Sequence, residues 1–171
     1  SKQFDLDDLN GIDDDGNGRV DDLVGYNFFN GNHNIYSSLE VDQHGLNMFG
    51  LVAANENNSL GAAGSSFNSR IIHCKAGGSG YIINYVPAIQ YLADVNADII
   101  SMSFFGGPMY SAQDAINYAY SQGTIIIACG GYTTTGCPLN DYRYPMAYDN
   151  VIGLGVLETD ANYMRLSSYV S

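Results

Sequence analysis

The run Thr124 to Cys129, reading TIIIAC, constrains this chain more than any other stretch. It carries no charge and is rich in β-branched side chains. Such a run suits a strand inside a parallel sheet, covered on both faces. Its neighbours agree. Asp98 to Ser103 (DIISMS) reads as a buried strand, broken by Gly106-Gly107-Pro108. Ala112, Ala115, Ile116 and Ala119 recur at helical spacing, and Gly123 stops that helix. Val151 to Val156 (VIGLGV) reads as the next strand. Upstream, Arg70 to Ala76 (RIIHCKA) is an expected strand. Ile82, Val86, Ile89 and Ala93 give a helical stripe with Pro87 in its first turn. Alternating strands and helices imply an α/β chain with a parallel, doubly wound sheet in three layers. Loops at the carboxyl ends of such strands usually carry the site. Here those loops are Ser103 to Gly107 and Gly130 to Gly136.

The chain's 171 residues suit one domain spanning 1–171: an acidic loop in 1–25, a histidine helix in 42–55 and a βαβ core in 70–156. With 18 acidic and 6 basic residues, the formal charge is −12. That argues against a nucleic-acid or anionic-membrane partner, each of which wants a basic face. No apolar run is long enough to span a membrane, and SKQFDLDDLN carries no secretory signal pattern. No G-x-G-x-x-G leads from a strand into a helix, and GGSGYI after RIIHCKA matches a dinucleotide site poorly.

Much of the acid lies in residues 5–22, which points to cation binding more than to a general field. The core of that loop is DDDGNGRVDD, Asp13 to Asp22. Side-chain oxygens recur at Asp13, Asp15 and Asn17, and Gly18 allows a sharp reversal, as in the first half of a calcium loop. The expected shell is Asp13, Asp15, Asn17, the Arg19 carbonyl, and Asp21 or Asp22. The glutamate that closes a regulatory loop is missing, since Val24 stands there. The plain alternative is a solvated acidic turn. Magnesium and zinc suit the site less well, for want of tight octahedral geometry in one case and of sulfur or imidazole in the other.

Val41 to Asn55 (VDQHGLNMFGLVAAN) reads as a helix with Leu46, Phe49, Val52 and Ala53 on one face. Asp42 is its expected N-cap, which places His44 in the first turn. Gly45 and Gly50 each cost about 1 kcal/mol against Ala in a helix, so each suggests a backbone packed close by. A histidine so placed can serve as a catalytic base, or merely cap a helix. His33 is expected to be solvated, and His73 and Cys74 to be packing residues, because no metal-ligand spacing exists. Cys129 ends a strand and Cys137 lies in the loop that follows. A bridge between them is expected, with Cys74 a buried thiol; a reducing compartment would leave all three as thiols.

Taken together, these segments resemble the subtilisin-like serine peptidases, in an extracellular bacterial branch. NGIDDDGNGRVDDLVGYNF is similar to their acidic loop, and QHGLNMFGLVAAN to their H-G-T-H-V-A-G helix. ISMSFFGG resembles the strand that pairs with substrate backbone, and AINYAYSQGTIIIACGGY the approach to the oxyanion asparagine. YPMAYDNVIGLGV and LSSYVS resemble the segment ending in S-N-Y-G. The resemblance implies a subtilisin-like sheet, incomplete at both ends, with the aspartate strand before it and the nucleophile motif after it. It implies a base at His44, substrate contacts at Ser101, Ser103, Phe104 and Gly106, and Tyr132 at the oxyanion position. It also implies a polypeptide substrate or protein partner, structural calcium, further domains of a parent chain, and an extracellular or cell-surface location. Leu46 and Asn47 depart from the motif's threonine and second histidine, and Tyr132 from its asparagine. Two functions are therefore open: part of an endopeptidase domain, or a degenerate relative kept for binding or structure. Ser167, Ser168 and Ser171 do not match the nucleophile motif, so hydrolysis by this chain alone is not expected.

Overall fold

The structure, a computed structural model, describes residues 9–36, 43–66, 68–78, 81–82, 85–130, 143–155, 157–159 and 164–166. The chain divides into two compact units, Ser1–Ala88 and Ile89–Ser171.

In the first unit, β1 (Gly25–Asn27) pairs in parallel with β2 (His73–Lys75), with Tyr26 opposite Cys74. The approach is close. A Cβ built on Gly25 would lie 1.9 Å from the His73 carbonyl oxygen, so this position admits only glycine. Helix α1 (His44–Ala53) lies between the two strands in sequence, and β3 (Gly77–Gly78) and β4 (Tyr81–Ile82) form a short antiparallel pair after them. Ile82 is therefore in a strand and not on the expected helical stripe. The helix α2 (Tyr85–Asp94) begins after it, with Pro87 in the first turn as expected.

In the second unit, β5 (Ile99–Met102), β6 (Ile125–Cys129) and β7 (Ile152–Leu154) make a parallel sheet in that order. Helix α3 (Tyr110–Ser121) crosses from β5 to β6 and packs on β6. Its Ala112, Ala115, Ile116 and Ala119 are buried, as are Ile100, Met102, Ile126 and Ala128 of the sheet. The small side chains on the helix let it sit low on the strands, and these residues form the unit's core. Ile125 is half exposed, so the central strand is covered less completely than its uncharged sequence implies. A hairpin of β8 (Leu157–Thr159) and β9 (Met164–Leu166) follows, which the sequence pattern does not signal.

Helices α2 and α3 end by the same device. Asn96 and Gly123 take left-handed φ values of 57° and 91°. The amides of Ala97 and Thr124 then return to the carbonyls of Leu92 and Ala119, both at distances near those of helical bonds, 2.9 and 3.1 Å. These are Schellman closures, which satisfy the last carbonyls of each helix. The sequence names Gly123 as a stop for that reason.

Candidate functional site

The acidic loop folds largely onto its own backbone. Asp13 accepts the amides of Asn17 at 3.1 Å and Gly18 at 2.7 Å. Asp15 accepts the Asn17 amide at 3.2 Å. The Asn17 side-chain nitrogen donates to Asp15 at 3.1 Å and to Asp22 at 2.9 Å, so those two carboxylates converge on one point. The Asn17 side-chain oxygen accepts the Arg19 amide, and Asp21 accepts the amides of Asn10 and Gly11. Among the described residues, no three His, Cys, Asp or Glu side chains gather closely enough to hold a metal ion. The Arg19 guanidinium lies over the rings of Tyr26 and Phe28, at 5.2 and 5.1 Å from their centroids. His33 is exposed, as expected, and also brings Nδ1 to 3.5 Å from an Asp21 carboxylate oxygen. A contact between residues so far apart in sequence leaves no local pattern to read.

His44 is the first residue of α1 and is exposed. Its N-cap is Gln43, which makes no side-chain capping bond, so the expected cap at Asp42 is not used; Asp42 lies outside the described residues. The helix forms, but Leu46, Phe49 and Val52 of its expected apolar stripe are exposed, and no residue of α1 is buried. The C-terminal end is held by a loop. The amides of Gly64, Ser65 and Ser66 donate to the carbonyls of Ala54, Leu51 and Val52. Gly64 must be glycine there, since a Cβ would meet the Val52 carbonyl oxygen at 2.4 Å.

The backbone expected to pack against Gly45 is not found among the described residues; what lies there is a side chain, at an ordinary van der Waals distance. A Cβ at this position would lie 3.4 Å from Nε2 of His73. One turn on, Phe49 stacks on the same imidazole, with centroids 6.0 Å apart and planes at 19°. Gly50, by contrast, has open space where a Cβ would stand. Burial, and then the charge of Lys75, pushes His73 below the ordinary imidazole range, so it is neutral at pH 7. Its neighbour Cys74 is a free thiol pushed up to about 12, chiefly by burial; a hydrogen bond from the Tyr26 backbone opposes this and the Asp22 charge adds to it. Both are packing residues, as the sequence implies.

In the second unit, Ser101 is exposed on β5, and Ser103 and Phe104 follow at its carboxyl end. The Cys129 thiol at the end of β6 donates to the Phe104 carbonyl oxygen at 3.7 Å, so the carboxyl ends of these two strands lie together. Cys129 is a free thiol, and its expected partner Cys137 lies outside the described residues, as does Tyr132. Gly106 forms a two-bond bridge with Tyr144: its amide donates to the Tyr144 carbonyl at 2.7 Å and its carbonyl accepts the Tyr144 amide at 3.2 Å. The Arg143 guanidinium lies 5.0 Å over the Phe105 ring. The Tyr148 hydroxyl donates to the Met109 carbonyl at 2.8 Å and accepts the Met109 amide at 2.6 Å. The stretch that begins with the expected substrate contacts is thus pinned from Gly106 to Met109 by residues 143–148. The sequence offers no signal for Tyr148, because its partner atoms are backbone.

These features fit what the chain resembles elsewhere. The sequence profile of the Subtilase family matches residues 8–171. A thermophilic serine proteinase of Bacillus sp. (strain AK1) is 32% identical over 86% of this chain and 35% of its own length. A halolysin-like extracellular serine protease, Nep, of Natrialba magadii is 34% identical over 82% of this chain and 26% of its own length. The solved structure of sphericase superposes with a TM-score of 0.63 at 25% identity, over 71% of this chain and 43% of that one. The chain therefore spans less than half the length of these relatives. Its α/β fold with parallel strands is subtilisin-like. The chain belongs to the subtilase family of serine peptidases.

Proposed function

We propose that this chain supplies the histidine helix and the substrate-pairing segment of an extracellular serine endopeptidase domain. The observation that carries the proposal is His44, standing exposed at the first residue of α1 in a chain matched by the Subtilase family along residues 8–171. In that role a neutral imidazole takes the proton from a nucleophile and returns it to the leaving amine. The segment Ser101, Ser103, Phe104 and Gly106 would lie along the peptide, with Tyr132 near the developing oxyanion. The experiment uses a fluorophosphonate probe and a peptide substrate on the full-length protein. Labelling and hydrolysis are expected there, and His44→Ala should abolish turnover. The 171-residue chain alone should stay unlabelled. Full activity in His44→Ala, or stoichiometric labelling of this chain alone, would overturn the proposal.

A second function, a degenerate peptidase kept for binding, is favoured by Leu46, Asn47 and Tyr132 at the motif positions. Loss of one oxyanion donor costs about 100- to 1000-fold in turnover. A full-length protein that binds peptides and cuts none would establish it.

The acidic loop is proposed to take a structural calcium ion. The donors are carboxylate and amide oxygens, the hard ligands this ion prefers. The convergence of Asp15 and Asp22 on the Asn17 amide group supports the place. That amide now puts its nitrogen, the positive end of its dipole, between the two carboxylates. Turned over, it would present an oxygen to a cation held there.

A further inference from the structure

The loop that leads out of β5 passes through Gly106, Gly107 and Pro108. Among the described residues, a Cβ on either glycine would meet open space, so packing does not fix the backbone there. Two successive glycines also leave it more freedom than other residues would. Yet this loop continues the segment Ser101, Ser103, Phe104 and Gly106 that is proposed to lie along the peptide. We propose that Tyr148 is a positioning residue for that segment: its hydroxyl fixes the far end of the loop, so that the near end, at Gly106, is held to one path. The proposal deepens the endopeptidase assignment and rests on it for the place of the peptide.

Two pins stand at the ends of the loop. At Gly106 the amide donates to the Tyr144 carbonyl at 2.7 Å, and the carbonyl accepts the Tyr144 amide at 3.2 Å. At Met109 the Tyr148 hydroxyl donates to the carbonyl at 2.8 Å and accepts the amide at 2.6 Å. Both polar backbone atoms of Met109 thus meet one side-chain oxygen. Only Gly107 and Pro108 remain between the pins. With one pin released, the glycine pair can turn about the other.

The residues that carry the pins form a frame of their own. The amides of Ala147 and Tyr148 donate to the carbonyls of Arg143 and Pro145. The rings of Tyr144 and Tyr148 lie 4.5 Å apart, with planes at 53°. Tyr148 is buried, so its hydroxyl cannot leave Met109 without disturbing that packing. Beyond Tyr148 the frame is tied to α3. The Gln113 side chain accepts the Asp149 amide at 3.0 Å and donates to the Asp149 carbonyl at 3.3 Å. The Asn150 side chain donates to Asn117 at 3.0 Å. Helix α3 is seated by the buried Ala112, Ala115, Ile116 and Ala119, so the hydroxyl links the loop to the core of the unit.

The test reads the loop's amides by site-resolved hydrogen exchange of the full-length protein, with kinetics beside it. In the parent, the amides of Gly106 and Met109 should both be protected. Free exchange at Met109 would overturn the proposal with no variant needed. Tyr148→Phe keeps the ring and loses both bonds. Exchange should quicken about tenfold or more at Met109 and also at Gly106, although the Gly106 partner Tyr144 is untouched. Exchange that quickens at Met109 alone would overturn the proposal, because the hydroxyl would then hold only its own partner. In the same variant, KM for a peptide long enough to pair with the segment should rise about three- to tenfold, as the competent path loses population. The kcat should hardly change, the mark of lost binding that ground and transition states share. Turnover of a small activated ester, which has no backbone to pair, should stay at the parent value. An unchanged KM, or equal losses on ester and peptide, would overturn the proposal, since general loosening gives the latter. Exchange needs no turnover. A protein that cuts no peptide but shows the spread to Gly106 loses the endopeptidase assignment and keeps the hold of Tyr148, and a peptidase without the spread does the reverse.

Discussion

The thiol of Cys74 should be almost inert in the folded chain. It sits on β2 opposite Tyr26, and burial there pushes it from the ordinary 9.0 to about 12. The thiolate is the species that reacts with an alkylating agent. A gap of about three pH units lowers the thiolate fraction roughly a thousandfold at any pH below 9. The assay is iodoacetamide labelling of a Cys129→Ser, Cys137→Ser variant at pH 8, with the rate followed by intact mass. Native protein should react roughly a thousandfold more slowly than the same protein in denaturant, unless transient unfolding sets a faster floor. Above pH 9 the unfolded rate should level off, while the native rate keeps rising about tenfold per pH unit. The same displacement makes a stability claim. A thiol raised in the fold holds its proton longer there than in the unfolded chain. Its contribution is therefore complete below pH 9 and is lost as pH rises toward about 12. Native labelling at pH 8 within tenfold of the denatured rate, with circular dichroism showing an intact fold, would refute the reasoning. Applied to the parent chain without reductant, the same labelling tests the bridge expected from the sequence: three alkylated cysteines after denaturation agree with the free thiol of Cys129, and one alkylated cysteine would mean a Cys129–Cys137 bridge.

Three further outcomes are expected. Tyr148→Phe removes a buried hydroxyl that both donates to and accepts from Met109. It should cost about 1–3 kcal/mol in urea denaturation, and a loss within error of zero would show that the clamp is not energetically coupled. His73 is held below its ordinary value of 6.5, so below that pH the unfolded chain takes the proton first. Its contribution is present above pH 6.5 and lost as pH falls; the melting temperature should drop between pH 7 and 5, and less so in His73→Phe. Calcium at a hundred times its dissociation constant should stabilise the chain by about 2.7 kcal/mol. Equal melting points in EDTA and calcium for the parent would reduce the loop to a solvated turn, whereas a rise that vanishes in Asp15→Ala supports the site.

Much of the second unit was legible because its signals are local. The stripe Ala112, Ala115, Ile116 and Ala119 states a helix and its buried face within eight residues, and Gly123 supplies the left-handed turn that ends it. The uncharged run after it could only be a strand. Where two local signals competed, the weaker pattern lost. Ile82 continues the helical spacing of Val86 and Ile89, yet it pairs with Gly77 in a two-residue ladder. Period alone cannot weigh one added helical turn against one strand pair. The hairpin of β8 and β9 has only three residues on each side, too few to show an alternation.

The site was legible to the extent that its residues declare themselves in sequence, and no further. Oxygens at Asp13, Asp15 and Asn17 announce their spacing, but not their partners. Short polar side chains near a flexible backbone bond first to that backbone, and here the amides of Asn17 and Gly18 take Asp13. The histidine helix shows the same limit more sharply. Gly45 and Gly50 suggest a backbone packed close by, yet among the described residues a Cβ would make only an ordinary contact with the His73 side chain at Gly45 and would meet open space at Gly50. The spacing of Gly45 and Phe49 defines a face, and a face does not name its neighbour. His73 arrives from a later strand, carried there by the pairing of Gly25 with its backbone. Phe49 thus meets a ring that comes from a later strand, which the pattern of its own helix does not announce.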